Sequence, residues 1–156
     1  MYENFVIIIS LVIVLGMYAL FRKKVLNQII LAALISAVWV LISGLYSYRD
    51  SNFFIGGLNM FSFSAWTAGL VVFKEIYDYF ADRKNELKVF AIMSVSWIFF
   101  MMIIEYIGYN ILSIKLATDY AGFLGLPIMH MPWWGITYYF AAAPIFLLIC
   151  KQMNVR

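Results

Sequence analysis

Five apolar blocks, each long enough to cross a bilayer, divide this chain, and its charges stand almost entirely between them. A helix needs about 20 mostly apolar residues to cross a hydrocarbon core about 30 Å thick. The blocks 4–21, 25–46, 57–80, 88–110 and 132–150 meet that requirement, and with their connections they use up all 156 residues. No length is left over for a soluble domain. Only 12% of the residues are charged, where soluble domains carry about a quarter. A membrane β-barrel would show alternating segments of about ten residues separated by turns, and these blocks are continuous. The expectation is an all-α polytopic membrane protein, one compact bundle of five transmembrane helices forming a single integral domain over 1–156.

The placement of the cations sets the expected orientation. Arg22, Lys23, Lys24, Arg83, Lys84, Lys88, Lys151 and Arg156 fall on one side of such a bundle, and only Arg49 and Lys115 on the other. Basic residues favour the cytoplasmic side, so the chain is expected in the cell membrane with its N-terminus outside and its C-terminus in the cytoplasm. The net charge of +3 therefore reflects membrane-edge residues, and nucleic acid is not an expected partner. Block 4–21 has no basic residue before it and is followed by Arg22-Lys23-Lys24, the reverse of a secretory signal. It reads as a retained span. Cys150, the single cysteine, allows no disulfide within the chain. At the end of the last block it reads as an inert thiol, or as an acylation site.

Polar residues within or beside the blocks are the places to look for chemistry. Lys74 and Asp78 are four apart and can pair along one helix face. They mark either an ion or proton path or a helix end emerging into cytoplasm. Tyr46, Tyr48, Tyr77, Tyr79, Tyr106, Tyr109, Trp133 and Trp134 gather at expected interfaces, where rings with one polar edge sit favourably. Pro144 after Ala141-Ala142-Ala143 predicts a kink with close helix packing.

The fourth connection, about 111–131, is long and apolar where a solvated loop would be polar. Gly122, Gly125, Pro127 and Pro132 let it turn back. It is expected to lie in the outer leaflet or to fold over the mouth of the bundle. Irregular backbone at membrane depth survives only where protein or a wet cavity covers it, so such a segment marks a candidate site.

Glu105 is the main candidate residue. At about 1.5 Å per residue from Lys88 it lies roughly 25 Å along its helix, about one turn inside the outer boundary. Ser94, Trp97, Met101, Glu105 and Gly108 recur at helical spacing and share a face. A carboxylate there is costly unless paired, solvated or protonated, and a protonated carboxyl is what a general acid supplies. Alternatively Glu105 reaches water or bonds Tyr109 or Asn110. Asp119, Tyr120 and His130 belong to the same side, which makes Glu105, Asp119 and His130 the expected catalytic group. Trp97, Met101, Tyr109, Tyr120, Trp133, Trp134 and Tyr138 are the expected substrate-binding residues. Met129-His130-Met131 offers soft ligands suited to cuprous ion, but adjacent residues rarely converge on one centre. No metal and no cofactor is expected. With one histidine, two-histidine haem ligation within the chain is excluded. No phosphate loop, nucleophile elbow or zinc motif is present.

The segments Glu105-Tyr106-Ile107-Gly108, Asp119-Tyr120, Gly125-Leu126-Pro127 and Pro132-Trp133-Trp134 resemble the membrane carotenoid hydratases and the small lycopene-cyclase-type proteins. The likeness spans about residues 105–134, and the cyclases' Pro-X-Glu-Glu motif is absent. It implies that Glu105 protonates a terminal double bond of an isoprenoid, with Asp119 or His130 as orienter or base. The cation would rest against the π faces of Trp133, Trp134 or Tyr109 until water or a second double bond captures it. Three functions stay open: an enzyme or binder acting on an isoprenoid or other membrane lipid, an accessory subunit of a larger membrane complex, and a transporter or channel component. Homo-oligomerisation is compatible with each.

Overall fold

The computed structural model describes residues 2–21, 23–43, 47–48, 53–82 and 84–154, with Glu3, Lys23 and Lys24 described as backbone alone. Tyr46, Arg22, Arg49, Arg83 and Arg156, and the side chains of Lys23 and Lys24, lie outside the described residues. The chain is mostly helical. Five long helices follow one another: α1 (Tyr2–Phe21), α2 (Lys23–Ser43), α3 (Met60–Phe80), α4 (Glu86–Tyr106) and α5 (Trp133–Gln152). Among the described residues α1, α2, α4 and α5 are long and apolar enough to cross a membrane. α3 matches them in length with 21 residues, but Lys74, Glu75 and Asp78 break its apolar run.

The start of α3 differs from the block 57–80. Phe54–Ile55 (β1) and Leu58–Asn59 (β2) pair antiparallel around Gly56-Gly57, whose φ angles of 56° and 82° suit a tight hairpin turn that glycine alone enters without strain. Asn59 then caps α3: its side chain accepts a hydrogen bond from the Ser62 amide at 3.2 Å. Gly57, Leu58 and Asn59 of the hairpin are residues that hydropathy assigned to the helix.

α3 is the central helix and packs against each of the other four. Its buried residues include Ser62, Ser64, Thr67 and Lys74. The hydroxyls of Ser64 and Thr67 donate to carbonyls of their own helix, to Phe61 and Phe63, so their burial leaves no open donor. α1 packs on α2 and α3, whereas α4 packs chiefly on α5. The bundle is thus two groups of helices joined along α3.

Lys151 Nζ lies 2.8 Å from Glu86 Oε1, and the Tyr77 hydroxyl donates to the same oxygen at 3.4 Å. The end of α3, the start of α4 and the end of α5 therefore share one end of the bundle. At that end Lys74, 4% exposed, pairs with Asp78. Cys150 is fully buried, which withholds its thiol from an acylating enzyme.

The opposite end carries the hairpin and the connection 111–132. α4 does not simply stop: Ile107–Ile111 forms a π-helical turn, closed by the Leu112 amide donating to the Ile107 carbonyl at 3.0 Å. Beyond it the chain crosses the end of the bundle and is tied on two sides. The Ala117 amide donates to the Ser47 carbonyl at 2.6 Å, and Asn110 Nδ2 donates to the Pro127 carbonyl at 2.9 Å. Gly122 permits the tightest fold, since a Cβ there would stand 1.8 Å from the Leu126 carbonyl oxygen. Leu124 and Leu126 are exposed, while Met129 and Met131 enter the core.

Candidate functional site

A half-open cleft of about 540 Å³ runs between α1, α3 and α4 and is lined almost wholly by apolar side chains. Its floor follows from side-chain size along α3. Ser62, Ala65 and Gly69 recur at helical spacing and leave room that a stripe of larger residues would fill. Trp97 forms the facing wall. It is 2% exposed, its indole N–H donates to the Tyr139 carbonyl at 2.7 Å, and its ring meets Phe73 edge-on at 4.9 Å. That hydrogen bond fixes the indole plane and joins α4 to α5 near Pro144, which itself offers no amide to the Phe140 carbonyl.

Among the described residues Glu105 is the one carboxylate lining the cleft. It stands at the connection end, where the backbone amide of His130 approaches its carboxylate. The fold-back of the connection thus brings His130 to Glu105 through its main chain. The imidazole lies elsewhere, stacked on Tyr109 with centroids 3.5 Å apart and planes inclined by 6°. Lys115 Nζ sits over the same tyrosine ring, 4.9 Å from its centroid. Burial, with the Lys115 charge nearby, holds the imidazole below its ordinary pKa, so it is neutral at physiological pH. Its Nδ1 is buried with no hydrogen-bond partner among the described residues. Met129 adopts φ 54°, a left-handed conformation unusual for such a residue, and this turn presents the His130 amide.

The sequence-derived site residues divide into two sets. Trp97, Met101, Glu105 and Tyr109 line the cleft together. Asp119 is exposed and lies outside the lining, and Tyr120 packs against the hydrophobic core. Trp133 is 77% exposed and borders a separate depression with Phe123 and Phe140. Trp134 and Tyr138 turn toward α2: Trp39 meets Trp134 edge-on at 5.9 Å and stacks on Tyr138 at 3.4 Å. Met129 and Met131 are core side chains while His130 stacks on Tyr109, so the three do not converge on one centre. Among the described residues no group of three or more His, Cys, Asp or Glu side chains is placed to hold a metal ion.

Several cleft residues escaped the reading of the sequence. Ser62 donates to the Tyr48 hydroxyl at 3.1 Å, and this pair lies at the same end of the cleft as Glu105. Ser10 of α1, Gly69 and Phe73 of α3 and Phe100 of α4 complete the walls. The available signal was the small-residue stripe on α3, beside Trp66 and Phe73. Comparison with known proteins gives no match to a protein-family model, to a curated protein or to a solved structure.

Proposed function

We propose that this chain is a five-span integral membrane protein that binds a long apolar isoprenoid-type lipid in the α1–α3–α4 cleft and uses Glu105 as an intramembrane acid. The observation that carries the reading is one carboxylate at the end of an otherwise apolar, lipid-sized cleft. Concave, mostly apolar sites with few polar groups are the usual form of a small-molecule site. α3 crosses with the other four helices, because a helix enclosed by apolar neighbours need not itself face lipid. The bias of basic residues puts the N-terminus outside and the C-terminus in the cytoplasm.

In this reading Glu105, when protonated, transfers its proton to a terminal carbon–carbon double bond. The double bond supplies the electron pair for the new C–H bond, leaving a carbocation and the Glu105 carboxylate. Trp97 offers a π face to the cation, whereas both faces of Tyr109 are covered, by the His130 imidazole and by Lys115. Water then adds and returns a proton to Glu105, giving an alcohol; capture by a second double bond of the same chain gives a ring instead, with loss of a proton to the carboxylate. The His130 amide positions the acid and stabilises the carboxylate between steps. The likeness of residues 105–134 to carotenoid hydratases and lycopene-cyclase-type proteins agrees with this chemistry. Asp119 is left a lesser part, being outside the cleft lining.

The test is gentle purification from membranes, followed by mass spectrometry of lipid and protein in one sample. A stoichiometric isoprenoid, with its hydrated or cyclised product lost in Glu105→Gln, supports the reading. Partner polypeptides in fixed ratio with bulk phospholipid alone would overturn it in favour of the second reading, an accessory subunit. For that role α1 is the available surface, since few of its residues are buried.

A further inference from the structure

We propose that the cleft is a one-chain site for an uncharged amphiphile: the molecule enters sideways from the lipid between α1 and α4, seats a hydroxyl-bearing end beside Glu105, and lays one tail along α3 toward Ile76. This rests on the lipid-binding reading above and adds the entry route, the tail length and the headgroup class, none of which depends on Glu105 acting as an acid.

The dimensions select a single tail. Along α3 the lining runs from Ser62 to Ile76, about 21 Å at about 1.5 Å per residue. Spread over that length, the 540 Å³ open to the centres of water-sized molecules corresponds to a width of roughly 8 Å once a water radius of about 1.4 Å is added on each side. A helix with its side chains is about 10–12 Å across, wider than that, so a partner helix does not fit. An extended chain advances about 1.2 Å per bond by the dimensions of an extended backbone, so the cleft takes a tail of roughly 17 bonds. At its middle a Cβ on Gly69 would stand 3.8 Å from the Trp97 ring. A side chain larger than a methyl at 69 would therefore press on the indole and fill the cleft there.

The open flank follows from helix packing. α1 lines the cleft through Val6, Ser10 and Ile13 yet packs on α2 and α3, while α4 packs chiefly on α5. The cleft is half-open, and the unsealed seam lies between α1 and α4. The closed end is the one crossed by the connection 111–132.

The polar groups at that end select the head. Glu105, Tyr109 and the Ser62–Tyr48 pair line it, and among the described residues the lining contains no basic side chain. Lys115 is engaged over the outer ring of the Tyr109–His130 stack. A phosphate or carboxylate head would be set against the Glu105 carboxylate with no cation to offset it. A hydroxyl can donate to Glu105 and accept from the Tyr109 phenol. An alcohol at this position is also what hydration of a terminal double bond would produce, so the same end would hold substrate and product.

The experiment uses the full chain in phospholipid nanodiscs and a hexadecanol probe bearing a mid-chain diazirine. After photolysis, labelled residues are mapped by mass spectrometry, with unlabelled octanol, hexadecanol, triacontanol, hexadecyl phosphate and lycopene as competitors. The expected result is labelling concentrated on 65–73 and 97–104, with hexadecanol competing roughly tenfold better than octanol, triacontanol or hexadecyl phosphate. Gly69→Leu should cut cleft labelling by about tenfold while circular dichroism and the elution volume stay unchanged. Gly16→Leu, where added side chain meets open space, should leave labelling intact. The competitor series on the unmutated chain decides the matter even where Gly69→Leu misfolds. Labelling spread evenly over lipid-facing residues would overturn this proposal and the lipid-binding reading together. Equal displacement by lycopene would overturn the hydroxyl-bearing head and the tail length, and equal displacement by hexadecyl phosphate the uncharged head; either would leave that reading standing. Cleft labelling with the expected competition, but product formation unaffected by Glu105→Gln, would support the site and remove the acid.

Discussion

At the scale of single residues, Glu105 and Trp97 do different work and should fail differently. Glu105→Gln keeps size and an acceptor for the His130 amide while removing the acid, so lipid binding should persist and product formation fall by about 10²-fold or more. Trp97→Ala removes a buried indole, its hydrogen bond to Tyr139 and its contact with Phe73. It should cost about 3–5 kcal/mol of stability, read as a lower melting temperature of the purified chain. His130 adds a pH dependence. Its imidazole is held below the ordinary value, so the folded state favours the neutral ring. That contribution is present above the unfolded value of about 6.5 and is lost as pH falls through the lowered folded value. Protection of the 128–131 amides, taken relative to their intrinsic exchange at each pH, should therefore fall in mild acid and not in mild alkali, and His130→Phe should abolish the difference. Glu105 could be read from the sequence because a lone carboxylate among apolar neighbours must be accommodated. The companions of Glu105 were less legible. Trp134 and Tyr138 sit near it in sequence-derived depth, but α5 turns them toward Trp39, and depth along a span does not reveal the direction a side chain faces.

Among the elements, the connection 111–132 and the start of α3 are set by a few residues whose replacement has calculable cost. Gly122→Ala would push a Cβ to 1.8 Å from the Leu126 carbonyl oxygen. The backbone must then shift, at about 1–3 kcal/mol or more, and the shift should loosen the His130 contact to Glu105; lower thermal stability with faster proteolysis near residue 124 would show it. Asn59→Ala removes the cap of α3 and should cost about 1 kcal/mol, measurable by the same melting assay. The long helices were legible because each coincides with a continuous, mostly apolar run of about 20 residues. The α3 boundary moved because Gly56-Gly57 makes a hairpin out of residues whose apolar character resembles a span. The sequence carries both signals there, and the turn prevails because two adjacent positive φ angles end a helix outright. The Lys74–Asp78 pair was visible as an i, i+4 spacing. Which partner is buried was not, because that depends on how α3 sits among the other helices.

For the molecule as a whole, the central question is how a helix carrying Lys74, Glu75 and Asp78 belongs to a bundle whose other four long helices are apolar enough to cross a membrane. Enclosure by α1, α2, α4 and α5 supplies the answer, and it makes the ion pair asymmetric. The Lys74 side chain is 5% exposed and the Asp78 side chain 37%. Removing Asp78 strands a buried cation, at about 3–5 kcal/mol, whereas Lys74→Met leaves a carboxylate that can turn to water. Asp78→Asn should thus lower the melting temperature far more than Lys74→Met, and equal losses would argue that α3 is not enclosed. The same enclosure has a topological consequence. With α3 crossing, the spans are odd in number and the chain ends lie on opposite faces; with α3 lying in the interface, both ends share one face. In a Cys150→Ser background, Tyr2→Cys and Asn154→Cys give one exposed reporter at each end. A membrane-impermeant maleimide added to intact cells should label Tyr2→Cys and leave Asn154→Cys unlabelled until the membrane is opened. Labelling of both from outside, or of neither, would reduce the spans to four and put the charged turn of α3 at a membrane surface.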